Sequence, residues 1–86
     1  MYQLIVMTQA QKDAKNLASS GLKPKVMKIL EIIQNNPLQY PPEFEYLKGN
    51  MKGLMSRRIN KQHRLVYEVF EHEKIIKIYR MWKHYE

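Results

Sequence analysis

The spacing of apolar positions changes several times along the chain, and each change marks an element. Residues 2–7 (YQLIVM) form a nearly continuous apolar run of strand length, suited to a sheet interior. From Thr8 the spacing becomes helical: Ala10, Ala14, Leu17 and Ala18 fall on one face through about Ser20. Thr8 is the candidate N-cap and Gly21 the stop. A second helix opens at Lys23-Pro24, where a proline near the first position loses no hydrogen bond. Val26, Ile29, Leu30 and Ile33 keep the helical spacing until Asn35-Asn36-Pro37 ends it. The interleaved Lys12, Lys15, Lys25 and Lys28 read as a solvated outer face. Residues 37–42 (PLQYPP) exclude regular structure and predict an extended loop.

Residues 54–59 and 63–69 then alternate, with Gly53 opening the first, and predict a β-hairpin. Successive side chains on a strand point to opposite faces, so Arg57 and Arg58 cannot both meet one ligand. Loop length decides which of them joins Arg64. A three-residue loop at 60–62 puts Ile59 opposite His63 and Arg58 opposite Arg64. One face then carries Met55, Ile59, Leu65, Tyr67 and Val69. The other carries Ser56, Arg58, Arg64 and Glu68, with Leu54 and Val66 between them. An even-length loop would mix arginines with core residues on both faces, and burying unpaired charge is costly. The odd loop is expected. A last strand, residues 74–82, follows the acidic turn Glu71-His72-Glu73. The predicted fold is α+β, with two N-terminal helices packed on one face of a small antiparallel sheet (β-α-α-β-β-β). The opposite sheet face stays open and carries the arginines.

A chain of 86 residues supports one modest core, so residues 1–86 are expected to form a single domain. There is no cysteine, which excludes a disulfide framework and a zinc–thiolate site. No apolar run reaches the roughly 18 residues of a membrane span, and no signal-peptide pattern occurs. A cytoplasmic protein that does not enter a membrane is expected. The three histidines lack metal-ligand spacing, so neither metal nor other cofactor is expected. A net charge of +7 on so short a chain implies an acidic partner, either nucleic acid or an acidic protein.

Two neighbouring arginines repel each other and suit an anion, because the guanidinium fork matches phosphate oxygens. RNA can be cut without a metal when a base deprotonates the 2′-hydroxyl. Cations must then stabilise the phosphorane, and an acid must protonate the 5′-oxygen. Glu45 is the candidate carboxylate; Arg58, Arg64 and Lys48 are candidate cations. His84 and Tyr85 stand near the C-terminus, where an aromatic ring could stack on an unpaired base. Plainer readings exist. Glu45 could pair with Lys48, and the arginines with Glu43, Glu45 or Glu68, as ordinary surface ion pairs.

The segments Glu45-Tyr46-Leu47-Lys48-Gly49, Ser56-Arg57-Arg58-Ile59, His63-Arg64-Leu65-Val66-Tyr67 and His84-Tyr85 resemble the YoeB/Txe toxins of the RelE superfamily. The resemblance spans the chain and is densest from Glu45 to Tyr85. It implies a small sheet packed on two helices and an mRNA interferase that cuts mRNA in the ribosomal A site. By motif position it implies Glu45 as general base, His84 as general acid and Arg64 at the scissile phosphate. Arg58 and Lys48 would assist in RNA contacts, and Tyr85 would position the substrate. The implied partners are the ribosome, mRNA and a YefM/Phd-like antitoxin with an acidic tail; a homodimer is an open option. A glutamate is a weak base, so such a pair needs the ribosome to orient the RNA. Free toxin should cut naked RNA poorly. The rival readings are a non-catalytic RNA- or ribosome-docking module of the same fold and, last, a DNA-binding regulator.

Overall fold

The computed structural model describes residues 1–81. Strand β1 (Gln3–Val6) leads into helices α1 (Thr8–Ser20) and α2 (Lys23–Asn35). Strand β2 (Phe44–Tyr46), a short 3-10 turn (Gly49–Met51), and strands β3 (Met55–Arg58), β4 (Arg64–Phe70) and β5 (Ile75–Arg80) follow. Both helices were expected at these positions. Thr8 is the first residue of α1 rather than its cap; Met7 takes the cap position without a side-chain bond. Gly21 ends α1 with φ of 82°, a left-handed conformation that glycine adopts without a Cβ penalty.

The sheet order is β1-β5-β4-β3-β2. Strands β2 to β5 pair antiparallel, whereas β1 lies parallel to β5, so the sheet is mixed rather than purely antiparallel. The helical hairpin carries the chain from β1 at one edge to β2 at the other, and three antiparallel steps bring it back beside β1. It also has five strands, one more than expected. The additional strand is β2, only three residues long and preceded by two prolines. The last strand ends at Arg80, inside the anticipated 74–82.

The hairpin register follows the odd-loop expectation. Met55 pairs with Tyr67, Arg57 with Leu65 and Arg58 with Arg64, and the Ile59 N–H donates to the His63 carbonyl at 2.8 Å. Met55, Ile59, Leu65 and Tyr67 are buried with Leu17, Val26, Ile29, Leu30 and Ile33 from the helices. Lys12, Lys15, Lys25 and Lys28 are exposed.

Asp13 joins the two layers. It lies on the buried face of α1, within helical spacing of Ala10 and Leu17, and is 2% exposed. Its carboxylate accepts from Gln9 Nε2 at 3.0 Å, Arg80 Nε at 2.9 Å and the Met81 N–H at 3.0 Å. Burial pushes this carboxyl up, but the Met81 N–H, Gln9 and Arg80 together outweigh burial and hold it below the ordinary value. A lowered folded value means that the stabilisation is fully present above the ordinary carboxylate range. It is lost as pH falls through the folded value. Asp13→Asn should therefore flatten the acid limb of melting temperature against pH below about 4. It should also cost about 3 kcal/mol at neutral pH, the lower end for breaking a buried pair, since Arg80 is partly exposed. Thermal melts across pH check both effects.

Candidate functional site

Strands β2, β3 and β4 carry the candidate residues on the face turned away from the helices. Glu45 pairs with Ser56, Ser56 with Val66, and Arg58 with Arg64. Alternation puts Ser56 and Arg58 on one side of β3, so all four polar side chains share a face. Glu45, Ser56, Arg58 and Arg64 line a shallow cleft of about 140 Å³ together with Glu43 and Phe44. Arg64 Nη1 donates to Glu45 Oε1 at 2.8 Å. Glu45 thus pairs with Arg64, not with Lys48. Arg58 is exposed, and no ion pair to it occurs among the described residues.

The Glu45 side chain is 61% exposed. An ion pair so open to water contributes about 0–1 kcal/mol. Little energy therefore opposes a phosphate that replaces the carboxylate on Arg64 and leaves Glu45 free to accept a proton.

Arg57 faces the other way, into the core, and is 1% exposed. Its Nε donates to the Tyr67 hydroxyl at 2.9 Å, its Nη1 to the Pro42 carbonyl at 2.6 Å, and its Nη2 to the carbonyls of Pro37 at 3.0 Å and Gln39 at 2.9 Å. Its guanidinium carbon lies 4.8 Å from the Phe44 ring centroid. Burial raises the Tyr67 phenol above its ordinary value, while Arg57 pulls it down. The phenol accepts from Arg57 and donates to the Pro37 carbonyl at 3.2 Å. This network fastens residues 37–42 to β3 and β4, and the fastened loop delivers β2, hence Glu45, to the sheet edge.

Residues 9–85 match the YoeB-like toxin family of bacterial type II toxin–antitoxin systems. The chain belongs to that family. It is 38% identical over 58 residues to the toxin HigB-1 of Vibrio cholerae, covering 60% of this chain and 61% of that toxin. The chain spans less than two thirds of the length of the curated relatives it matches. Solved structures match over nearly their whole length. The YoeB/ParE toxin from Agrobacterium tumefaciens superposes with a TM-score of 0.87 at 25% identity, covering 96% of this chain and 99% of that one. A chain of the YoeB–YefM complex from Staphylococcus aureus superposes at 0.82 and 34% identity, covering 99% of each.

In this YoeB-like toxin three of the six anticipated site residues meet at one cleft: Glu45, Arg58 and Arg64. Lys48 is exposed just before the 3-10 turn and does not line it. His84 and Tyr85 lie outside the described residues. Two residues that shape the cleft or its support were given no such part from the sequence. Ser56 was placed on the right face but given no role. Arg57 was recognised only as unable to share a ligand with Arg58, although its position opposite Leu65 signals a buried charge in need of acceptors. Among the described residues no cluster of three metal-ligating side chains occurs, and no helix is long and apolar enough to cross a membrane.

Proposed function

We propose that residues 1–86 act as one cytoplasmic domain, an endoribonuclease that cleaves mRNA in the ribosomal A site and so blocks translation. The observation that carries this reading is the solvent-reached Glu45–Arg64 pair, with Arg58 beside it, in a cleft on the sheet face turned away from the helices. The phosphate of the bound mRNA takes the place of the Glu45 carboxylate on Arg64, and Arg58 supplies a second cation. Glu45 then removes the 2′-proton, and the 2′-oxygen attacks phosphorus. The 5′-oxygen departs with a proton from His84, leaving a 2′,3′-cyclic phosphate and a 5′-hydroxyl. This sequence of steps needs no metal. Lys48 approaches the RNA from the turn after β2, and Tyr85 positions the substrate.

The cognate partner is a YefM/Phd-like antitoxin whose acidic tail folds over the basic face. The YoeB–YefM complex and YoeB dimer from Staphylococcus aureus support such a partner and a homodimer. Purified toxin mixed with an mRNA should give discrete cuts bearing 5′-hydroxyl ends when ribosomes are present and very few without them. Equal cutting of naked RNA would refute the dependence on ribosomes. No cutting in either case, alongside tight ribosome binding, would favour the docking module.

A further inference from the structure

Ser56, the β2 neighbour of Glu45, lines the cleft together with Glu45, Arg58 and Arg64 and is its buried member. Its side chain is buried, 1% exposed, and among the described residues its hydroxyl oxygen has no hydrogen-bond partner. Such an orphan is unusual. A hydroxyl shut away from water without a partner costs about 1–3 kcal/mol, and alanine at the same place would avoid that cost. The groups around the hydroxyl are nevertheless polar and line an anion-sized cleft. Glu45 bonds Arg64 through Oε1, and among the described residues neither of its oxygens accepts from Ser56.

Building on the nuclease reading, we propose that the Ser56 hydroxyl is a third donor to the scissile phosphate, bonding one non-bridging oxygen from within the cleft. Arg64 and Arg58 hold the same phosphate from the exposed rim. Displacement of Glu45 from Arg64 makes room for the anion, so the hydroxyl meets its acceptor only when an anion occupies the cleft. The bond strengthens as negative charge accumulates on the phosphorane oxygens, so it acts on the chemical step more than on binding.

The test is Ser56→Ala, compared with wild type in single-turnover cleavage of ribosome-bound mRNA and in thermal melting. The expected result is a 10- to 100-fold lower rate, toward the low side for losing one such donor. The melting temperature should be unchanged or higher, because no hydrogen bond among the described residues is lost from the free protein. A wild-type cleavage rate would overturn the proposal. So would a lower melting temperature that accounts for the loss, since Ser56 would then be a structural residue. A second arm needs no catalysis: binding of a 2′-deoxy oligonucleotide, whose phosphates occupy the cleft uncleaved. Ser56→Ala should bind it several-fold more weakly, and equal affinity would overturn the proposal. If wild type bound the oligonucleotide but cut no mRNA, the nuclease reading would fail while the phosphate contact was still decided by this arm.

Discussion

Arg57→Ala is expected to cost about 3–5 kcal/mol, a large share of the roughly 5–15 kcal/mol that holds a domain of this size together. The expectation rests on what the substitution strands. Three carbonyls, those of Pro37, Gln39 and Pro42, and the Tyr67 hydroxyl all accept from this one guanidinium. Each acceptor left buried without a donor costs about 1–3 kcal/mol, reduced where water can enter. Lysine will not restore the loss, because a compact ammonium with three donors cannot span acceptors arranged around a planar fork. Arg58→Ala is the matched control. That side chain is exposed and has no salt bridge among the described residues, so its loss should lie within about 0.5 kcal/mol. Urea unfolding monitored by circular dichroism checks the pair: the midpoint should fall sharply for Arg57→Ala and hardly move for Arg58→Ala. A loss under 1 kcal/mol for Arg57→Ala would show that the loop is held by something else.

Arg64→Ala is expected to act on the reaction instead. On the proposed mechanism it removes a forked donor from the place where phosphorane charge develops, a change that lowers rates by about 100- to 1,000-fold in comparable sites. Its stability cost should stay under about 1 kcal/mol, because the ion pair it breaks is largely solvated at Glu45. Arg64→Lys should recover part of the rate through charge alone, without the bidentate geometry. Single-turnover cleavage of ribosome-bound mRNA, read beside a thermal melt, separates the two quantities. A variant that cleaves within threefold of wild type would remove Arg64 from the phosphate site.

These two neighbouring roles, one inside the protein and one on its surface, also mark what could be read from the residues. Alternation and loop length were enough to pair Arg58 with Arg64 and to put Tyr67 and Leu65 in the core, because a one-residue slip would have buried charge on both faces. The helices were legible from the spacing of Val26, Ile29, Leu30 and Ile33. Strand β2 was not, since three residues after two prolines offer too little periodicity. Its formation depends on a partner strand and on Arg57. That dependence has a physical signal that is easy to pass over. Three prolines among residues 37–42 supply carbonyls but no N–H groups, so the loop has an excess of acceptors, and a buried arginine is the side chain with the most donors to offer. Asp13 hid for a related reason. An acid within helical spacing of Ala10 and Leu17 looks like a surface residue until the Met81 N–H and Arg80 are known to meet it. The Ser56 hydroxyl gave no signal at all, because the lack of a partner among the described residues is visible only in three dimensions.

The most direct test is the single-turnover cleavage rate of ribosome-bound mRNA by Glu45→Gln. The amide keeps the size and polarity of the carboxylate but cannot serve as a base, and Glu45 is exposed enough that folding should be untouched. The expected rate is at least 100-fold below wild type, with the same melting temperature. Cleavage at the wild-type rate by this variant would contradict it, because the carboxylate beside Arg64 would then have no part in moving the 2′-proton.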